Sequence, residues 1–139
     1  MNAVDTNVFV YFFDHEEPTK QTQATELLDR LVQRPTETVL LWQVAAELLS
    51  CLRRWEATGR RLSSDVDSDI HDVLAMFPLV FPTKDVILRA LDLHSQYSLS
   101  HWDSMVVAAC IEAGVDTLYS EDLDEGTRYA SLEIVNPFR

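Results

Sequence analysis

Glycine and proline are scarce, with three and five in a chain of 139 residues. A turn-rich β-sandwich draws heavily on both, for positive φ and for pre-set turn geometry, so that class is disfavoured. The long uninterrupted stretches that remain suit helices. No apolar run approaches the roughly 18 residues that span a bilayer. The N-terminus carries no basic segment followed by an apolar stretch, so no secretory leader is expected. Only two cysteines occur, Cys51 and Cys110, each within an apolar helical pattern. Such thiols behave as small hydrophobes, and their spacing fits no zinc motif. A cytoplasmic protein is the expectation.

Lysine is nearly absent as well: 9 of the 11 basic residues are arginine, and the net charge is −12. That balance disfavours a broad phosphate-binding face, which needs cations. Arg53, Arg54, Arg60 and Arg61 nevertheless lie close together in sequence. They read either as a solvated helix end, where cations are favoured, or as a local phosphate-facing patch on an acidic body. The acidic body itself suits a basic partner segment.

The length fits a single domain spanning residues 1–139, large enough for a real core. A hydrophobic content of 47% argues for a folded globule. Strand-like runs at 2–5, 38–41, 79–81, 117–120 and 132–135 alternate with longer helical patterns. Residues 7–14 predict a short aromatic-rich helix. A helix over 20–33, capped by Thr19 and ended by Pro35, repeats apolar residues at Ala24, Leu27, Leu28 and Leu31. Further helices are predicted over 43–58, stopped by Gly59, and from Ser63 or Ser64, with Val66, Ile70, Val73, Leu74 and Phe77 on one side. Residues 84–96 and 101–113, the latter capped by Ser100, complete the set. Strands alternating with helices predict an α/β fold with a mostly parallel sheet covered on both faces. Sites in such sheets form outside the carboxyl ends of the strands.

Four acids stand where acids are hard to explain. Asp5 and Asp122 close apolar strand runs. Glu47 lies on the apolar stripe of Val44, Leu48, Cys51, Leu52 and Trp55, and Asp103 shares a face with Val106, Val107 and Cys110. A buried carboxylate costs several kcal/mol unless paired, protonated or bound to a cation. Each also has a plain explanation. Glu47 can snorkel, Asp103 can complete a capping box with Ser100, and Asp5 and Asp122 can serve as turn residues. All four converging on one sheet edge by accident is much less expected. Oxygen-only ligands point to Mg²⁺ or Mn²⁺. His15, His71, His94 and His101 share no ligand spacing, and no phosphate-cradling glycine loop is present. Carboxylate-held cations suit phosphodiester hydrolysis.

The motifs Asp-Thr-Asn-Val at 5–8, the Glu47 helix, Leu-Ser-His-Trp-Asp-Ser at 99–104 followed by Val-Val-Ala-Ala, Leu-Tyr-Ser-Glu-Asp-Leu at 118–123, and Ile-Val-Asn-Pro-Phe at 134–138 resemble a PIN domain. Within that group the chain is similar to VapC-type toxin ribonucleases of toxin–antitoxin systems. The resemblance implies a PIN-like three-layer α/β/α domain with a parallel five-stranded sheet, order 3-2-1-4-5. It also implies Mg²⁺- or Mn²⁺-dependent endoribonuclease activity on cellular RNA, a VapB-like antitoxin partner and a homodimer. Asp5, Glu47, Asp103 and Asp122 match the family's acidic quartet, with Asp5 and Asp103 as principal ligands. Thr6 and Ser120 match its hydroxyl positions, and Asn7 is a further supporting candidate. Three features depart from the pattern. The first strand is short and gives Asp5 little ladder support, Leu41 replaces a frequent Ser or Thr, and Asp124 adds an acid that could share the role of Asp122. Two other functions compete. One is a catalytically silent PIN-like module that binds a protein partner. The other is a phosphatase with an Asp nucleophile, which Asn7 disfavours because that chemistry wants a second Asp there.

Overall fold

Ala3, Val4, Leu40, Leu41 and Leu118 are almost wholly excluded from solvent, as expected of strands covered on both faces. In the computed structural model, which describes all 139 residues, strand β1 (Asn2–Val4) leads to α1 (Thr6–Phe13) and α2 (Pro18–Val32). A 3-10 turn (Pro35–Glu37) precedes β2 (Thr38–Leu41), α3 (Trp42–Ala57), α4 (Ser63–Met76) and β3 (Leu79–Val80). Helices α5 (Lys84–Tyr97) and α6 (His101–Glu112) then bring the chain back to β4 (Thr117–Tyr119), β5 (Arg128–Tyr129) and β6 (Leu132–Val135).

The sheet order is β3-β2-β1-β4-β6-β5, parallel throughout except for β5 against β6. The five predicted strands thus occur in the predicted order. The sixth, β5, is an addition. Its two residues carry no alternating pattern, and it exists because a hairpin folds it back onto β6. At that hairpin Ala130 adopts a positive φ of 54°.

From β1 the chain winds outward through β2 to β3, then crosses back to place β4 on the other side of β1. The direction of winding therefore reverses between β1 and β4. At such a switch point the flanking helices splay apart and leave a crevice at the strand carboxyl ends. The short β1 is better supported than its length suggests, because the Asp5 N–H donates to the Tyr119 carbonyl at 2.9 Å. The ladder therefore reaches one residue beyond the strand.

Several local expectations shift. Helix α2 starts at Pro18 rather than after a Thr19 cap, since proline's fixed φ suits the first helical position. Phe81 falls beyond β3 and is 68% exposed. On α4, Leu74 faces solvent while Asp69 is buried. The exchange has a cause: the Arg61 guanidinium clasps the Asp69 carboxylate with two bonds of 2.5 and 2.8 Å. Cys51 and Cys110 are buried free thiols, and burial pushes the Cys110 thiol upward, consistent with a packing role.

The Thr38 hydroxyl is fully buried in β2 without a hydrogen-bond partner. An unmet buried hydroxyl costs more than its removal. Thr38→Val, which keeps the shape, is expected to stabilise the fold by about 1 kcal/mol, read as a higher denaturant midpoint at unchanged m-value.

Candidate active site

Asp5 sits at the carboxyl end of β1 and caps α1, with its side chain accepting from the Thr6 N–H at 2.8 Å. Across the switch point, the Ser120 hydroxyl at the end of β4 donates to Asp5 Oδ2, also at 2.8 Å. Asp5 is only 7% exposed. Its pKa is pushed up to about 6. Burial is the main cause, opposed by the Ser120 and Thr6 hydrogen bonds and reinforced by the negative charges of Asp122 and Glu47.

The remaining acids arrive on other elements. Glu47, half-buried on α3, accepts from the Thr6 hydroxyl at 2.8 Å and from Gln43 Nε2 at 2.9 Å. Asn7 bridges the β4 side: its Nδ2 donates to Asp122 at 3.1 Å, and its Oδ1 accepts from the Glu121 N–H at 3.2 Å. Asp122 is exposed, and its N–H donates to the Ser120 hydroxyl at 3.2 Å. Asp103 lies in the first turn of α6, where its N–H donates to the Ser100 hydroxyl at 3.3 Å. The reciprocal half of the capping box does not form, and the Asp103 carboxylate makes no hydrogen bond within the protein.

Asp5, Glu47, Asp103 and Asp122 all line one cleft of about 1380 Å³, together with Thr6 and Asn7. No three of the carboxylates approach closely enough to enclose an ion by protein ligands alone. The donor set is nevertheless of the right kind. Mg²⁺ keeps several waters and takes only one or two carboxylates, and the buried Asp5 lacks any cationic partner. Asp124 is exposed and lies outside the cleft lining.

A family model described as PIN domain matches residues 3–130. The chain belongs to the PIN domain family. Among solved structures, this PIN domain is similar to a toxin–antitoxin complex from Klebsiella pneumoniae, with TM-score 0.70 and 15% identity over 99% of this chain and 98% of that one. VapBC2 from Rickettsia felis, bound to a DNA fragment from its promoter, gives TM-score 0.69 and 16% identity over 97% of each chain. The sarcin–ricin loop-cleaving toxin VapC20 of Mycobacterium tuberculosis gives TM-score 0.59 and 16% identity, covering 88% of this chain and 90% of that one. At these identities the likeness is one of fold. No curated protein matches.

Sequence reasoning missed several residues in and around the PIN domain's cleft. Gln43 reaches both Glu47 and, at 3.4 Å, the Trp102 carbonyl; its place one helical turn before Glu47 was the available signal. Lys20 pairs with Glu121 and hydrogen-bonds Tyr11 at 3.2 Å. Burial pushes Glu121 up, but Lys20 and Tyr11 outweigh that and hold its pKa below the usual range. This tie fastens the β4 loop to α2, and nothing in local sequence announces it.

The four arginines do not form one patch. Arg60 pairs with Asp14 and Glu16, each at 3.0 Å, and lies over the Trp55 ring. Arg61 is held by Asp69. Arg54 lines the cleft, and Arg53 faces a shallow neighbouring groove.

Two outcomes follow from this geometry. Removing one partner of a buried ion pair leaves an uncompensated charge, so Arg61→Ala should destabilise the protein by about 3 kcal/mol, measured by denaturant titration. For Asp5, the folded pKa near 6 exceeds the ordinary 3.8. The native state therefore keeps a proton that the unfolded chain loses between those values. Stability from this group falls as pH rises through that window and stays low above it. At about 1.4 kcal/mol per unit the penalty is on the order of 3 kcal/mol. Metal-free Asp5→Asn should melt above wild type at pH near 7, and the difference should shrink on acidification toward pH 4.

Proposed function

We propose that this PIN domain is a metal-dependent endoribonuclease acting as the toxin of a VapBC-like type II toxin–antitoxin pair. The observation that carries this reading is Asp5, a buried carboxylate with no cationic partner at the β1–β4 switch point, in one cleft with Glu47, Asp103 and Asp122. The fold shared with toxin–antitoxin proteins, one of them an RNA-cleaving toxin, supports it.

Asp5 and Asp103 would hold a Mg²⁺ or Mn²⁺ ion, with Glu47 and Asp122 serving a second ion or its waters. When bound, such a cation lowers the pKa of an attacking water and neutralises the leaving oxygen of a phosphodiester. The protein's own contribution is to orient the acids. Ser120 and the Thr6 N–H fix the two Asp5 oxygens, the Thr6 hydroxyl and Gln43 fix Glu47, and Asn7 holds Asp122. Asp5 must lose its proton to serve as a ligand, so metal affinity should weaken as pH falls below about 6.

The substrate is cellular RNA, and Arg54 is the cleft cation available to a phosphate. The partner is a VapB-like antitoxin, whose basic segment suits the acidic cleft, and the toxin is a homodimer. No helix is long and apolar enough to cross a membrane.

Antitoxin-free protein incubated with total RNA and Mg²⁺ or Mn²⁺ should give discrete cleavage. EDTA, Asp5→Asn and Asp103→Asn should each abolish it, with losses of at least about a hundredfold for the variants. Equal cleavage by wild type and both variants would sink the assigned site. A folded wild type that cleaves no RNA under any of these conditions would favour a silent interaction module instead. Saturating Mn²⁺ should also raise the melting temperature of wild type, as any native-state ligand does, and should do so much less for Asp5→Asn.

A further inference from the structure

All three tryptophans of the chain, Trp42, Trp55 and Trp102, line the cleft that holds the carboxylates. Trp55 is already covered by the Arg60 guanidinium, 4.4 Å from its ring centroid. The other two are more open: Trp42 is 48% and Trp102 62% exposed, the latter with the His101 ring edge-to-face at 4.5 Å. Each lies in the first turn of a helix that carries an acid of the site. Trp102 directly precedes Asp103 on α6, and Trp42 precedes Gln43, which hydrogen-bonds both Glu47 and the Trp102 carbonyl. Phe81, exposed beyond β3, lines the same cleft.

The charge of the cleft narrows what these rings are for. Asp14, Glu17, Asp85, Glu112 and Glu121 line it besides the four central acids, and Arg54 is its only basic lining residue; the cations just outside it are taken up, Arg60 by Asp14, Arg89 by Glu112 and Lys20 by Glu121. RNA approaching here cannot be held by a row of Lys and Arg contacts. An unpaired nucleobase, by contrast, presents a flat π-face that stacks on an exposed indole without needing a cation, whereas a base inside a duplex is already stacked.

We infer that Trp42 and Trp102 form a nucleobase-stacking subsite beside the acidic centre, which holds the substrate through the faces of its bases. The inference rests on the endoribonuclease reading and names the side chains that hold its substrate. Because few cations contact phosphate, substrate binding by this subsite depends only weakly on salt.

The test compares a single-stranded oligouridylate with a blunt RNA duplex of equal length, on the full chain with Mg²⁺. Trp42→Ala and Trp102→Ala should each raise KM for the single strand on the order of tenfold with kcat nearly unchanged. Trp→Phe at the same positions should restore most of the loss. Both side chains are exposed, so the alanine variants are expected to keep the wild-type melting temperature. The wild-type KM should change by less than about threefold between roughly 50 and 200 mM salt.

Intrinsic fluorescence gives a second readout, because every tryptophan lies in the cleft. On catalytically impaired Asp5→Asn with Mg²⁺, the oligouridylate should quench the emission and the duplex should not. If wild type cleaves RNA while the alanine variants keep its KM and show the same quenching, the subsite is refuted and the nuclease reading stands. If the variants lose only binding to a protein antitoxin, the rings belong to that interface and the inference is overturned. If wild type cleaves nothing, quenching by the single strand alone still supports the subsite, and no quenching overturns it.

Discussion

The hydrogen bond from Ser120 to Asp5 joins the ends of two adjacent strands and fixes the electrostatics of the cleft. A carboxylate at the end of β1 is buried only because β4 lies beside it and presents a hydroxyl rather than an apolar side chain. Without that donor only the Thr6 N–H would remain as a close offset to the cost of burying Asp5. With it, the acid remains high in energy but correctly oriented. The Thr6 hydroxyl repeats the device one residue on, passing from the first helical turn to Glu47 on α3. Three elements are thereby locked in relation to one tripeptide, Asp5-Thr6-Asn7.

The central sheet was legible in the sequence because its strands are short, apolar and separated by strong helical periodicity. The four carboxylates stood out for the same reason, since each interrupts an apolar pattern. What stayed hidden depends on side chains that meet from afar. Asp69 is unremarkable in the α4 pattern, and only the Arg61 guanidinium that clasps it accounts for its burial. Lys20 and Glu121 are distant in sequence, and neither carries a mark of the other. β5 has no pattern of its own and owes its existence to β6. The Arg53–Arg61 cluster read as one feature because the residues are neighbours in sequence, yet the turn between α3 and α4 sends them to different partners.

Charge and the proposed function are reconciled locally. A body with net charge −12 is a poor generic ligand for RNA, yet charges beyond a Debye length of about 8 Å are largely screened. Chemistry in the cleft is then set by groups within a few ångströms: acids held by neutral donors, one arginine, and aromatic rings at the rim. The neutral donors matter here. Ser120, Thr6, Asn7 and Gln43 orient the carboxylates without neutralising them, which leaves the negative potential available to a cation.

Asp5 and Asn7 are made well before Ser120 and Asp122, Ser120 lying 115 residues after Asp5. Between them lie two outward crossovers and the long return through α5 and α6. Closing contacts over so large a sequence separation comes late in folding. A growing chain emerging from the ribosome carries Asp5 and Glu47 well before β4 exists to complete their surroundings. The centre is assembled only when β4 docks against β1, so a partly synthesised or truncated copy has the acids in its sequence without the site they form.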